Sequence, residues 1–221
     1  MQWLIGLAGG IMVVILAEAG LIFLCEKNKL TLPRRGAVVW SVPAAIFLVA
    51  GAVTVFVYTG LTISEQPIAA LAYRLLLMTG LTIFAVTDHY VHLIPNILLI
   101  VLLCAWVLIS ALAILFDLPN GLQLAAIGVA GGLFSGFCYL ICYFLSKKRM
   151  GAGDVKLAFF AGLCLTGEMI VGALLLCSLS CLLWSLVLIV RKKMKWSDEV
   201  PMAPFLFFGS AAMLLLSGGL G

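Results

Sequence analysis

Polar positions are few and bunched along this chain, and long apolar runs lie between them. The runs cover residues 2–24, 37–60, 68–87, 97–116, 122–145, 154–167, 169–190 and 204–219. A membrane-spanning helix needs about 20 mostly apolar residues. The pattern therefore predicts an all-α, polytopic membrane protein with about eight transmembrane helices. The sixth run is short, and only Thr166, Gly167 and Glu168 divide it from the seventh. Gly128, Gly132 and Gly136 recur every fourth residue in the fifth run, a ridge of small residues that lets a neighbouring helix approach closely. Pro43 interrupts the second run and predicts a kink.

Composition strengthens this picture. Of the 221 residues 65% are hydrophobic and 10% charged, against about 25% charged in a soluble domain, which leaves no room for a sizeable soluble domain. No Lys or Arg precedes the first run, so the positive segment of a signal peptide is missing and residues 2–24 read as the first span.

Charge adds an orientation. The formal net charge is +4, but the cations are bunched between apolar runs and do not form a nucleic-acid surface. Lys27, Lys29, Arg34 and Arg35 follow span 1; Lys147, Lys148, Arg149 and Lys156 accompany the start of span 6; Arg191, Lys192, Lys193 and Lys195 follow span 7. With eight spans all three groups fall on one side, which the positive-inside bias makes cytoplasmic. Both termini then lie on the non-cytoplasmic side, and the loops holding Glu65, Asp117 and Glu168 face outward. Arg74, inside span 3, is expected to snorkel toward the outer surface. Glu18 in span 1 is ambiguous. The seven cysteines include no CxxC pair. Cys138/Cys142 and Cys177/Cys181 share a helix face each, without a His or carboxylate to complete a metal site, and read as packing residues.

The chemistry gathers at two aspartates. Asp88 ends span 3 in AVTDHYVHLIPN, residues 85–96, where Pro95 and Asn96 open span 4. An acid at a helix C-terminus faces the negative end of the helix dipole, so capping does not explain Asp88. Asp154 opens span 6 in GAGDVK. Alone it reads as a helix N-cap, with Gly151 and Gly153 as loop residues. The topology, however, sets it at the same side and depth as Asp88. Two carboxylates held close cannot both ionise easily, which suits acid–base work on water, and glycines let backbone approach closely. His89 and His92 beside Asp88 allow a zinc reading, but no HExxH pattern supports it, and they read as loop histidines at the membrane surface. Pro201 and Pro204 bracket Met202 and Ala203 before span 8. The bland reading is a helix-entry device; the functional one is a stiff, extended segment at a catalytic mouth.

Three of these motifs, in order, resemble those of the type IV prepilin peptidases, membrane aspartic proteases of the GxGD type. They are an aspartate followed by Ile-Pro-Asn (Asp88 through Asn96), GxGDxK (Gly151 through Lys156), and a proline-bracketed segment (Pro201 to Pro204). The resemblance runs from about residue 68 onward. It implies a protease core over 68–221, with residues 1–67 forming a helix pair and a short basic cytoplasmic loop. It further implies catalytic Asp88 and Asp154, with Gly151, Gly153, Lys156, Pro95, Asn96, Pro201 and Pro204 shaping the site. The implied reaction removes the basic leader of a prepilin or pseudopilin at the cytoplasmic face of the plasma (inner) membrane, without metal or cofactor. Bifunctional relatives carry a large cytoplasmic loop after span 1, often with two cysteine pairs, and methylate the new N-terminus. Here that loop is the eleven residues CEKNKLTLPRR, so a peptidase without methyltransferase activity is expected. The alternatives are a GxGD protease for preflagellin or signal-peptide remnants, and a non-enzymatic transporter or assembly scaffold.

Overall fold

Eight α-helices account for nearly all of the described chain: α1 Gln2–Lys27, α2 Val42–Thr62, α3 Ile68–Val91, α4 Asn96–Phe116, α5 Leu118–Leu145, α6 Ala152–Cys164, α7 Glu168–Val190 and α8 Ala203–Gly219. The computed structural model describes residues 2–27, 42–62, 67–91, 95–145, 151–165, 167–191 and 202–219. The protein is an all-α polytopic membrane protein, and each helix coincides with one apolar run. Among the described residues six helices are long and apolar enough to cross a membrane, two fewer than the run count predicts. The exceptions are α6, with 13 residues, and α8, with 17. At 1.5 Å per residue α6 rises about 20 Å, short of a hydrocarbon core of about 30 Å.

Contacts between neighbours fix the direction of each helix. Gly6 of α1 meets Phe56 of α2 while Gly10 meets Ala52. Tyr58 of α2 lies by Arg74 of α3 and Gly51 by Thr82. Tyr73 of α3 bonds Ser110 of α4, and Gly80 meets Leu102. Gly121 of α5 meets Ala113 and Gly128 meets Trp106. Gly128 also meets Leu163 of α6, while Ser135 bonds Ala158. Gly172 of α7 meets Met213 of α8, and Gly209 meets Cys177. Every pair is antiparallel, so the C-termini of α1, α3, α5 and α7 share one end of the bundle with the N-termini of α2, α4, α6 and α8. That end is called the site end below.

The half-length α6 is the packing centre of the C-terminal half. Leu157, Ala158 and everything from Phe160 to Leu165 are buried. The glycine ridge of α5 is what admits it: a Cβ on Gly128 would stand 2.7 Å from the Leu163 carbonyl oxygen, and one on Gly131 2.7 Å from that of Gly162. A helix ending inside a bilayer leaves orphan carbonyls. Here the Leu165 N–H donates to the Ala161 oxygen, and the Trp106 indole Nε1–H donates to the Leu163 oxygen at 3.0 Å. Leaving such a carbonyl unpaired costs about 1–3 kcal/mol. The chain then turns back through Gly167, whose φ of 62° and ψ of −129° suit glycine alone.

Two local expectations are corrected. Arg74 does not snorkel: it is 3% exposed, and its guanidinium lies 4.9 Å from the centre of the Tyr58 ring. Interior aromatic surface holds the cation where lipid headgroups were expected to. Pro43 makes no mid-helix kink. It falls in the first turn of α2, where a missing N–H removes no helical bond. Pro95 is the N-cap of α4, with φ −71° and ψ 116°, and Asn96 is the first helical residue.

Candidate active site

Asp88 lies in the last turn of α3 and is buried, with 6% of its surface exposed. Its own helix offers it the wrong end of the dipole. The compensation comes from another helix: the backbone N–H of Ala203, at the start of α8, donates to Asp88 Oδ2 at 3.2 Å. That N–H is one of the orphan donors of a helix N-terminus, and the positive end of α8 faces the carboxylate. Asp88 is thus a cap after all, for a helix 115 positions further along the chain. This contact also fixes the place of the proline-bracketed segment. Pro204 sits half-buried in the first turn of α8, whereas Pro201 lies outside the described residues.

Asp154 is the third residue of α6 and half-buried. The N-cap is Gly151, in extended conformation, and the Asp154 N–H donates to the Gly151 carbonyl at 3.1 Å. Asp154 is therefore not the N-cap, because the helix begins two residues earlier than the apolar run. It remains in the first turn, where a carboxylate is favoured. Its side chain leans back along the helix, so a Cβ on Gly151 would stand 3.3 Å from Asp154 Oδ2. Gly151 gives that carboxylate its room. Gly153 is half-buried within the first turn.

Depth can be counted along the helices. Gly80 of α3 meets both Leu102 of α4 and Phe160 of α6. From that level Asp88 lies about 12 Å toward the site end and Asp154 about 9 Å, at 1.5 Å per residue. Both carboxylates thus belong to the same end at similar depth. A direct bond joins the two motifs: Lys156 Nζ donates to Asn96 Oδ1 at 3.0 Å, tying the start of α6 to the start of α4. Replacing Lys156 by Met, or Asn96 by Ala, is expected to lower the activity of the site about two- to fivefold, the scale of one exposed hydrogen bond. The double variant should be no worse than either single one. Strictly additive losses in that cycle would mean that the two side chains act separately.

His89 lies in α3, with its side chain outside what is described, and His92 lies outside the described residues altogether. Among the described residues no three His, Cys, Asp or Glu side chains group as a metal site would require.

The sequence reading missed a third wall. Ser135 Oγ of α5 donates to the Ala158 carbonyl of α6 at 2.9 Å. One turn nearer the site end, Tyr139 and Asp154 occupy the matching positions on the two helices. Tyr139 is 6% exposed, and its hydroxyl lies 3.3 Å from Cys177 Sγ of α7. One signal existed: Tyr139 continues the face of Gly128, Gly132 and Ser135 toward the site end, at helical spacing.

A model of the type IV leader peptidase family matches residues 75–186. The matched stretch holds Asp88, Asn96, Asp154 and Lys156, and ends before α8. No curated protein and no solved structure matches the chain.

Proposed function

This chain belongs to the type IV leader peptidase family, and on that premise we propose that it is an aspartic endopeptidase whose catalytic pair is Asp88 and Asp154. Its substrate is a prepilin- or pseudopilin-like protein, from which it removes a short basic leader. The observation that carries the reading is the convergence, at one end of the bundle, of the α3 end bearing Asp88 and the α6 start bearing Asp154, with Lys156 and Asn96 bonded across the two motifs. The reaction needs little more than this pair. One ionised carboxylate takes a proton from water, and the hydroxide attacks the scissile carbonyl. The other, protonated, donates first to the carbonyl oxygen, and the amine leaves with a proton. Gly151, Gly153, Pro95, Pro201 and Pro204 shape the approach of an extended substrate.

Residues 68–221 form the peptidase core in this reading, and residues 1–67 a helix pair packed on it. The site end faces the cytoplasm, since twelve of the thirteen cations belong to helix ends or connections at that end and positive loops stay inside, and the membrane is the plasma membrane. The chain works as a peptidase without methyltransferase activity, and needs no metal or cofactor.

The test uses membranes containing the protein and a reporter with a basic leader ending in glycine, followed by an apolar helix. Mass spectrometry of the product is expected to show cleavage after the glycine and an unmethylated new N-terminus, unchanged by a chelator. A reporter left whole under conditions where the protein is folded would contradict the substrate assignment. Loss of cleavage on chelation would contradict the aspartic mechanism.

A further inference from the structure

The half-length α6 is sealed deep in the bundle and open at its start. Asp154, Ala158, Ala161 and Leu165 recur at helical spacing and share one face of that helix. The three deeper residues are fully buried, whereas Asp154 is half-buried. The cover ends at the depth of Asp154. α5 and α7 meet where the Tyr139 hydroxyl lies 3.3 Å from Cys177 Sγ, and the Ser135–Ala158 bond sets Tyr139 level with Asp154. From that meeting point toward the site end, neither residues 140–145 of α5 nor residues 178–190 of α7 include a buried one. Two helices that stayed in contact would bury their facing sides, so this pair parts there. Three neighbouring seams are tied. The Ala203–Asp88 bond joins α8 to α3, the Lys156–Asn96 bond joins α6 to α4, and α5 lies on α6 along its glycines.

From this arrangement we infer that the seam between α5 and α7 is a side entrance for substrate, and that its occupant is the apolar helix that follows the leader. The inference rests on the peptidase reading above. A leader joined to an apolar helix cannot bring its cleavage point to Asp154 from the water. Moving one Leu or Phe side chain out of hydrocarbon costs about 1.5–3 kcal/mol, and a spanning helix carries many. The helix must slide to the site within the bilayer, through a seam that is open at the depth of the carboxylate. The α5–α7 seam is open at that depth and closed deeper in. Its closed part keeps the substrate helix outside, along the seam, while its open part admits the extended residues around the cut. The lining suits such an occupant. Cys142, two turns past Ser135 on α5, is exposed, and Cys181 and Ser185 follow Cys177 along α7 half-buried. The Ser185 hydroxyl donates to the Cys181 carbonyl at 2.7 Å, so these small side chains offer a helix close approach with little unmet polarity.

Two measurements in membranes test this, each with the folded protein quantified. In the first, a photoreactive phenylalanine analogue stands at position 142 or 185, and for comparison at position 112 of α4 or 12 of α1, where Leu112 and Met12 are exposed on other helices. With Asp154→Asn keeping the glycine-leader reporter uncut, light is expected to join the reporter to positions 142 and 185 and not to 112 or 12. In the second, Ser185→Trp fills the seam. It is expected to lower kcat/KM for the membrane reporter about tenfold, the scale of overpacking. A short soluble peptide, with the leader and the residues just past the cut but no apolar helix, should be cleaved by Ser185→Trp within about twofold of the parent rate. Equal losses on the two substrates, or cross-links as strong from 112 or 12, would overturn the entrance and leave the peptidase intact. A folded parent that cleaves neither substrate would instead contradict the peptidase reading, and the entrance would fall with it. Should Ser185→Trp fail to fold, or the peptide be too poor a substrate to time, the cross-linking pattern decides alone. Reporter joined to 142 and 185 supports the seam; reporter joined equally to 112 or 12, or to none of the four, overturns it.

Discussion

Asp88→Asn and Asp154→Asn should each abolish leader cleavage, with a loss of about a thousandfold or more. General acid–base catalysis by a positioned group contributes on the order of 10²–10⁴, and in an aspartate pair both roles vanish with either member. The two residues act as a unit, so the double variant should be no slower than the singles. The folded protein should survive both changes. In Asp88→Asn the amide oxygen can still accept the Ala203 N–H that holds the start of α8. In Asp154→Asn the isosteric amide keeps the shape of the side chain at the half-buried start of α6. The test is the reporter assay at matched amounts of folded protein. Full activity in either variant would falsify the paired mechanism.

The second large effect is structural. Gly162→Val should leave no folded, active protein in the membrane, although the change adds only apolar atoms. A Cβ at Gly162 would run into Ser135 Oγ and into the Gly131 backbone. Backbone cannot swing aside as a side-chain tip can. Overpacking a tight core costs about 1–3 kcal/mol, and here the displaced atoms also carry the Ser135–Ala158 bond that registers α5 on α6. The whole first turn of α6, with Asp154, would shift. Ala130→Val is the control: it adds two methyl groups to an exposed position on α5 and should be neutral. The readout is detergent-extracted folded protein and its thermal midpoint. Equal behaviour of the two variants would mean that close packing of α5 on α6 does not matter.

Much of this architecture was legible because the membrane simplifies the code. Apolar runs gave all eight helices of the described residues, the triplet Thr166-Gly167-Glu168 correctly marked the division of α6 from α7, and the Gly128, Gly132, Gly136 ridge announced a close-packed partner. Hydropathy falls silent on which faces meet protein. The window in α7 is more apolar than that in α3, yet 17% of it is buried against 67%, since lipid and protein interior both welcome the same side chains. For that reason Arg74 could not be told from a snorkelling cation: the Tyr58 ring that receives it lies on another helix. The same holds for the α8 N-terminus that accounts for Asp88, for the Trp106 indole that meets the end of α6, and for Tyr139. Each is a pairing between distant segments, and local periodicity carries no record of it. The half-length of α6 was visible as a short run. Its burial was not, because that follows from the glycines of α5.

The two aspartates are the centre of this account, and their proximity can be measured directly. In a chain whose native cysteines are replaced by alanine or serine, Asp88→Cys and Asp154→Cys are combined and treated in the membrane with thiol-specific cross-linkers of increasing length. Asp88→Cys with Asp117→Cys serves as a pair from opposite ends of the bundle. The account predicts that the shortest spacers join positions 88 and 154, and that none of them joins 88 and 117. Cross-linking of 88 to 154 only by spacers that also reach 117 would contradict it.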